Sequence, residues 1–417
     1  MDRKELEIMA PAGNFGCLVA AIEGGADSVY FGIGQLNMRS HSANNFCRED
    51  LPEVMRICRA YGIRGYMTLN ITLYGEDLQA ARETLNAAKA AGVDAVIASD
   101  MACILYCRQI GLEVHISTQL SISNLESLKF YAQWADVVVL ARELNLEQVK
   151  AIHQGIIDQQ ITGPSGKLVR IEMFAHGAFC MAVSGKCYLS LAAYGESANR
   201  GACMQVCRRG YLVTDIETGN EIHIDNKYMM SPKDLCTIEF VDKFIEAGVK
   251  VFKIEGRARS ADYVKTCASC YRRAADAVAD GCFTPELGAS LKEELATVFN
   301  RGFWDGYYLG RRLGEWSERY GSQATENKVY LGLVRNYFGR INVAEVQLQT
   351  NETLKVGGEV MVIGETTGVY RYTVRELRTD RDPVPEVHQG DRFSFASSQL
   401  LHRGDKVYRV DKLIDEF

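Results

Sequence analysis

The chain has 417 residues, 47% of them apolar and 24% charged, with a formal net charge of −6. That length exceeds what one hydrophobic core organises, so a large domain and a small one are expected, both globular. The acidic balance argues against a strongly basic nucleic-acid footprint, no apolar run nears the ~20 residues that span a bilayer, and the opening MDRKELEIMAPAG lacks a signal-like apolar core. The expectation is a cytoplasmic protein with no membrane partner.

In chain order, short β-rich runs alternate with amphipathic helical segments. The candidate strands are ELEIMAP (5–11), DSVYFG (27–32), RGYMTLN (64–70), DAVIAS (94–99), EVHIST (113–118), DVVVLA (136–141), VRIEMF (169–174) and VKVFKIEG (249–256). Between them lie segments such as EDLPEVMRICRAYG and DLQAARETLNAAKAAG, closing on a glycine stop. Alternation of this kind favours parallel βαβ units, and eight strands favour a closed (β/α)8 barrel, a TIM-like α/β fold, over residues 1–300. The strands read as continuous apolar runs because both faces are covered.

The spacing breaks once, between strands seven and eight, where an insertion (175–240) holds four cysteines and the hairpin-like GYLVTDIETGNEIHIDNKYMM. Residues 301–327 read as a linker. From 328 to 417 β-type segments dominate, among them VYLGLVRNYF, RINVAEVQL, EVMVIG, VYRYTVREL, DRFSFA and KVYRVDKL, and predict a small antiparallel β-barrel domain.

Common catalytic motifs fail on inspection. GIGQLN (32–37) has Asn37 where a dinucleotide fingerprint needs glycine, and GPSGKL (163–168) lacks the Walker spacing. Neither H-E-x-x-H nor G-x-S-x-G occurs. CASC (267–270) sits in a helical pattern and reads as two packed thiols. The four cysteines of the insertion are different. Cys180, Cys187, Cys203 and Cys207 are separated by six, fifteen and three residues in a segment rich in Gly, Ser, Asn and Arg. Four thiolates suit zinc or an iron–sulfur cluster, and the spacing matches neither a zinc ribbon nor a ferredoxin run. Cys236, in SPKDLC, is an alternative fourth ligand. Lys186, Arg200, Arg208 and Arg209 interleave with the thiols and can offset thiolate charge or hold an anionic substrate.

Strand-end placement supplies the other candidates, because barrel enzymes carry their chemistry there. Glu172, His176, Arg142, Glu255 and Arg257 are candidate catalytic residues. Asn70, His115, Gln119 and Arg200 are candidate substrate contacts, with Asp100, Thr118 and Glu143 nearby. Tyr30 and Tyr66 could stack on a base or pack the barrel.

EMFAHGAFCMAVSGKCYLS (172–190) resembles the signature of the collagenase-like peptidases, family 32 of the unassigned-mechanism class. SANRGACMQVCRRGY, SPKDLC, FKIEGRARS, MAPAGN, GADSVYFG, STQLSISN and LARELN extend the likeness across residues 5–275, and the C-terminal segment looks like the extra domain of longer members. The resemblance implies two branches. Some members are named proteases or collagenases without assigned catalytic residues. Others are iron–sulfur proteins that hydroxylate RNA bases or quinone precursors without molecular oxygen, with prephenate as the hydroxyl source. In length the chain is most similar to the tRNA hydroxylation members, which make 5-hydroxyuridine at the wobble position. This implies a [4Fe–4S] cofactor, a tRNA partner and a small anionic metabolite for which Arg142, Arg200 and Arg257 are candidate clamps. The residues favour the hydroxylase branch, because a protease needs an activated nucleophile or a metal-bound water and no such constellation is apparent. A zinc-knuckle RNA-binding protein is the non-enzymatic alternative.

Overall fold

The computed structural model describes residues 3–41, 45–224, 231–311, 313–317, 321–380 and 382–413. Each of the eight apolar runs forms a strand: β1 (Glu7–Pro11), β2 (Ser28–Gly32), β3 (Arg64–Leu69), β4 (Ala95–Ala98), β5 (Glu113–Ile116), β6 (Val137–Val139), β7 (Arg170–Gly177) and β8 (Val249–Ile254). They pair in parallel in sequence order, and β8 pairs with both β7 and β1, which closes the sheet into a barrel.

Helices follow most strands and start where the sequence offers a cap. The Asn14 side chain accepts from Cys17 N at 2.9 Å to start Phe15–Glu23, and Asp100 accepts from Ala102 N at 2.9 Å to start Met101–Ile110. Both satisfy an N–H that the first turn leaves without a partner. Asp100 also accepts from Leu73 N, so this strand-end residue braces a loop. Apolar residues on the outer barrel face meet the helices in one continuous core. A second, smaller apolar cluster of Met9, Tyr30, Tyr66, Ala95, Ile97, Val137 and Val251 fills the barrel interior, as the inward positions of a packed barrel should.

Polar side chains occupy the interior above and below that cluster. At the N-terminal end, buried Glu7 accepts hydrogen bonds from Ser28 and Tyr66, each at 2.7 Å, and is ion-paired with Arg64 and Arg170. Above it Lys253 donates to Glu172 at 2.6 Å. Both groups are almost wholly buried.

The insertion between β7 and β8 contains a short helix, Leu189–Tyr194, and the expected hairpin, Tyr211–Thr214 paired with Glu221–Ile224. The last six residues of that hairpin reading, 225–230, lie outside the described residues. The C-terminal region is antiparallel. Eight strands form one sheet, with the long strand Glu326–Phe338 pairing with Lys406–Lys412 on one side and Val343–Leu348 on the other. A two-stranded ribbon, Leu354–Lys355 with Glu386–Val387, completes it around a separate apolar core. This sheet rests on the first and last barrel helices. Lys265 donates to Glu23 and to Val369 O, and Lys328 is ion-paired with Asp262.

Burial opposes ionisation of Glu7, but Arg64, Arg170, Tyr66 and Ser28 together hold its pKa below the ordinary 4.5. A depressed carboxylate contributes stability that is present above its unfolded pKa and lost as pH falls through the folded value. Glu7→Gln is therefore expected to cost on the order of 2 kcal/mol at neutral pH. It should also flatten the loss of stability below about pH 4.5, as read by urea titrations across the acid range.

Candidate functional site

A cavity of about 120 Å³ opens at the C-terminal ends of the barrel strands. Its floor is built from alternate strand residues: Tyr30 of β2, Thr68 and Asn70 at the end of β3, Ile97 of β4, Val139 of β6 and Phe174 of β7. Lys253, Glu255 and Arg257 line one wall, because residues two apart on β8 and its extension share a face. The insertion forms the roof, and all four of its cysteines, Cys180, Cys187, Cys203 and Cys207, line the same cavity.

The roof is held by guanidinium groups that donate to backbone carbonyls and hydroxyls. Arg208 donates to Phe179 O at 2.7 Å, to Ser231 Oγ at 2.9 Å and to Pro232 O. Arg142 donates to Ser184 Oγ at 2.7 Å and to Ala178 O, and lies 4.8 Å from the ring centroids of both Phe174 and Phe179. Arg200 does not reach the cavity. It is ion-paired with Asp77, donates to Thr72 O at 2.8 Å and stacks 4.2 Å from Tyr74, so it ties the insertion to the loop after β3. Gly201 takes φ +89, and a Cβ there would stand 2.4 Å from Asn37 O. Only glycine lets the insertion lie this close on the loop after β2.

On the cavity wall, Glu255 accepts from Arg39 Nη2 at 2.8 Å and from the Tyr30 hydroxyl at 3.2 Å. Burial opposes its ionisation, but Arg39 and then Arg257 and Arg142 hold its pKa down at about 2. Arg257 donates to Asn37 Oδ1 and Thr68 Oγ1, both at 2.9 Å, and burial lowers its pKa to about 10 against the pull of Tyr30 and Glu255. Gly32 makes room for it, since a Cβ there would fall 2.5 Å from Arg257 Nη1. Asn70 donates to Ser117 Oγ and accepts from Met38 N, and Ser117 donates to Gln119. These bonds join the ends of β3 and β5 to the loop after β2.

Among the sequence candidates, the structure brings Asn70, Thr118, Gln119, Arg142, Glu255, Arg257 and the four cysteines to one cavity. Glu172 and His115 lie deeper in the barrel, with Glu172 Oε2 and His115 Nδ1 3.9 Å apart and the His115 ring 4.6 Å from Tyr66. His176 faces away altogether. The register of β7 on β8 passes from Phe174–Lys253 directly to His176–Ile254, so Ala175 is an extra, bulged residue. The bulge reverses the alternation, and His176 packs against Tyr263, Tyr271 and Phe303. Burial lowers its pKa to about 3, so it is neutral at physiological pH. Glu143 is exposed off the cavity. Cys236, opposite His176 in the sheet, is buried off the cavity, and Cys267 and Cys270 are buried in helix Ala261–Ala279. Sequence reasoning missed Arg39 and Lys253. A lysine two positions before Glu255 in an otherwise apolar strand was the available signal for Lys253. Arg39 sits in a long polar loop with no pattern to single it out.

The four thiols form the donor set of the site. They are partly exposed, and none makes a hydrogen bond to a described residue. Burial raises the Cys207 pKa to about 11, with Arg208 opposing and the neighbouring Cys180, Cys203 and Cys187 adding to the rise. All four line the one cavity. Among the described residues no three His, Cys, Asp or Glu side chains are drawn together tightly enough to hold a metal ion. Ligands of a polynuclear cluster need not converge on one atom, because each thiolate binds a different iron. All-sulfur donors beside cationic guanidinium groups fit such a cluster.

Residues 13–318 match the family described as Peptidase family U32, and the chain belongs to that family. A protein of Porphyromonas gingivalis named collagenase is 54% identical over 412 residues, covering 99% of both chains. The tRNA hydroxylation protein P1 of Bacillus subtilis is 34% identical over 385 residues, covering 90% of this chain and 87% of that one. The 23S rRNA 5-hydroxycytidine C2501 synthase of Escherichia coli is 36% identical over 317 residues, covering 74% of this chain and 46% of that one.

Arg208→Met would leave three roof acceptors without their charged donor. Limited proteolysis is expected to cut within residues 180–210 far faster than in the wild type, with local opening easier by about 3 kcal/mol. The two fragments flanking the cut should resist further cleavage on the same gel.

Proposed function

We propose that this protein is an iron–sulfur-dependent RNA hydroxylase that makes 5-hydroxyuridine at the wobble position of tRNA, with prephenate as the hydroxyl source. The observation that carries the reading is the convergence of Cys180, Cys187, Cys203 and Cys207 on one cavity walled by buried arginines. Bound there, a [4Fe–4S] cluster would supply one-electron redox chemistry beside the substrate. The protein's own residues would bind and orient. Among the described residues four cations, Arg39, Arg142, Lys253 and Arg257, face the cavity against one carboxylate, Glu255, which suits a dicarboxylate metabolite. Arg257 Nη2 makes no hydrogen bond to a described residue and is the donor available for it. Arg39 keeps Glu255 ionised as a fixed acceptor. Tyr30 and Phe174 offer apolar faces in the same cavity for a ring. The two relatives named for RNA hydroxylation support an RNA acceptor. Ribosomal RNA is the second acceptor the relatives favour.

The name of the 54% identical relative favours peptide hydrolysis instead. Against it, no histidine is among the described residues lining the cavity, and its one carboxylate is held by Arg39. A hydrolase would need a base free to take a proton.

Anaerobically purified protein is expected to carry about four irons and four sulfides per chain, and Cys187→Ala to lose them. Mass spectrometry of tRNA nucleosides from a deletion strain should show 5-hydroxyuridine lost, restored by the wild-type gene and not by Cys187→Ala. Undiminished modification in the deletion strain would refute the proposal, and collagen cleavage by cluster-free protein would favour the peptidase. Arg257→Gln should raise the KM for the dicarboxylate by roughly tenfold or more, through loss of a charge-assisted bond, with cluster content unchanged.

A further inference from the structure

The C-terminal sheet carries a groove of about 680 Å³ lined by Arg335, Asn336, Tyr337, Gln347, Arg392 and Arg403, with Leu400, Leu401, His402 and Glu345 completing it. The three arginines are exposed, and none makes a salt bridge to a described residue. Of the other guanidinium groups here, Arg371 is matched with Glu326 and Glu359, Arg378 with Glu376, and Arg409 with Glu352 and Asp411, while Arg340 and Arg375 make no salt bridge to a described residue and lie outside the groove. Three arginines without a salt bridge to a described residue thus share one groove of a chain whose net charge is −6.

Their convergence follows from strand register. Gln347 lies opposite Arg392 in the sheet, and Arg335 is an extra residue between the pairs Val334–Val346 and Asn336–Glu345. A bulge of this kind re-aims the side chains around it, and Arg403 enters from the turn before Lys406–Lys412. Tyr337 donates to Asn342 and to Ser397 O, which fixes its ring at the groove, and Leu400 beside it is 56% exposed. Planar cations with an aromatic ring and amide side chains are the side-chain set that contacts sugar–phosphate backbone and unstacked bases.

We propose that this groove binds the sugar–phosphate backbone of RNA, gripping the substrate's body while the barrel cavity takes a single base. The inference rests on the RNA reading of the cavity. Phosphate contacts by the groove would supply affinity without sequence information, and the cavity would supply selection. Among the described residues Glu345 is the one carboxylate lining the groove, and it opposes binding.

Fluorescence anisotropy of labelled bulk tRNA with the full chain, between about 50 and 200 mM salt, tests it. The triple variant Arg335→Gln, Arg392→Gln, Arg403→Gln is expected to bind roughly tenfold more weakly, with a salt slope smaller by about 2 to 3. Glu345→Gln should tighten binding severalfold, a gain that loss of folding would not mimic. Unchanged affinity and slope in the triple variant would overturn the proposal, as would polyglutamate displacing tRNA equally well, which would indicate an acidic protein partner. Nucleoside analysis separates the two readings. Groove-dependent binding without hydroxylation would sink the cavity assignment alone, and full hydroxylation with unchanged binding by the triple variant would sink the groove alone.

Discussion

Strand β8 pairs on both of its edges, with β7 and with β1, and that double pairing organises the molecule. Closure of a parallel sheet removes its free edges and turns every strand's C-terminal end toward one mouth. The chain then has one long excursion to place, the stretch between β7 and β8, and it leaves from that mouth. Gly177 ends β7 at φ +103, where a Cβ would meet Glu255 O at 2.4 Å. The insertion therefore begins in direct contact with the wall it covers.

Charge is buried along the barrel in tiers. Glu7 sits with Arg64 and Arg170 at one end, Glu172 with Lys253 in the middle, and Glu255 with Arg39 and Arg257 at the mouth. Buried ion pairs add little net stability over apolar packing, but a broken one is costly, so they penalise slipped registers. The mouth tier differs from the others because it faces a cavity. Its cations outnumber its carboxylate, and the surplus is directed at whatever the cavity holds.

The roof is fastened mainly by arginines donating to main-chain carbonyls and hydroxyls rather than by an apolar core of its own. Arg208, Arg142 and Arg200 each reach a backbone oxygen outside or at the edge of the cysteine segment. Directional bonds of this kind set positions closely while leaving the thiols without a hydrogen bond to a described residue. A separate group of arginines, Arg335, Arg392 and Arg403 on the C-terminal sheet, makes no salt bridge to a described residue, so arginines that fasten the fold and arginines left to solvent form different sets.

The eight strands, the interruption after the seventh, the antiparallel C-terminal segments and the four-cysteine loop were legible in the sequence. Apolar period, glycine stops and cysteine density are local properties, and local properties survive folding. Which strand-end residues meet was not legible. Arg142 and Arg257 face the cavity, yet Arg200, in an equally suggestive position, is taken by Asp77, and one bulged alanine turns His176 out of the barrel. Cys207 lines the cavity and Cys236 does not, although both end short polar motifs. Side-chain direction depends on register, bulges and competing partners far away in the chain, and those are decided only when the barrel closes.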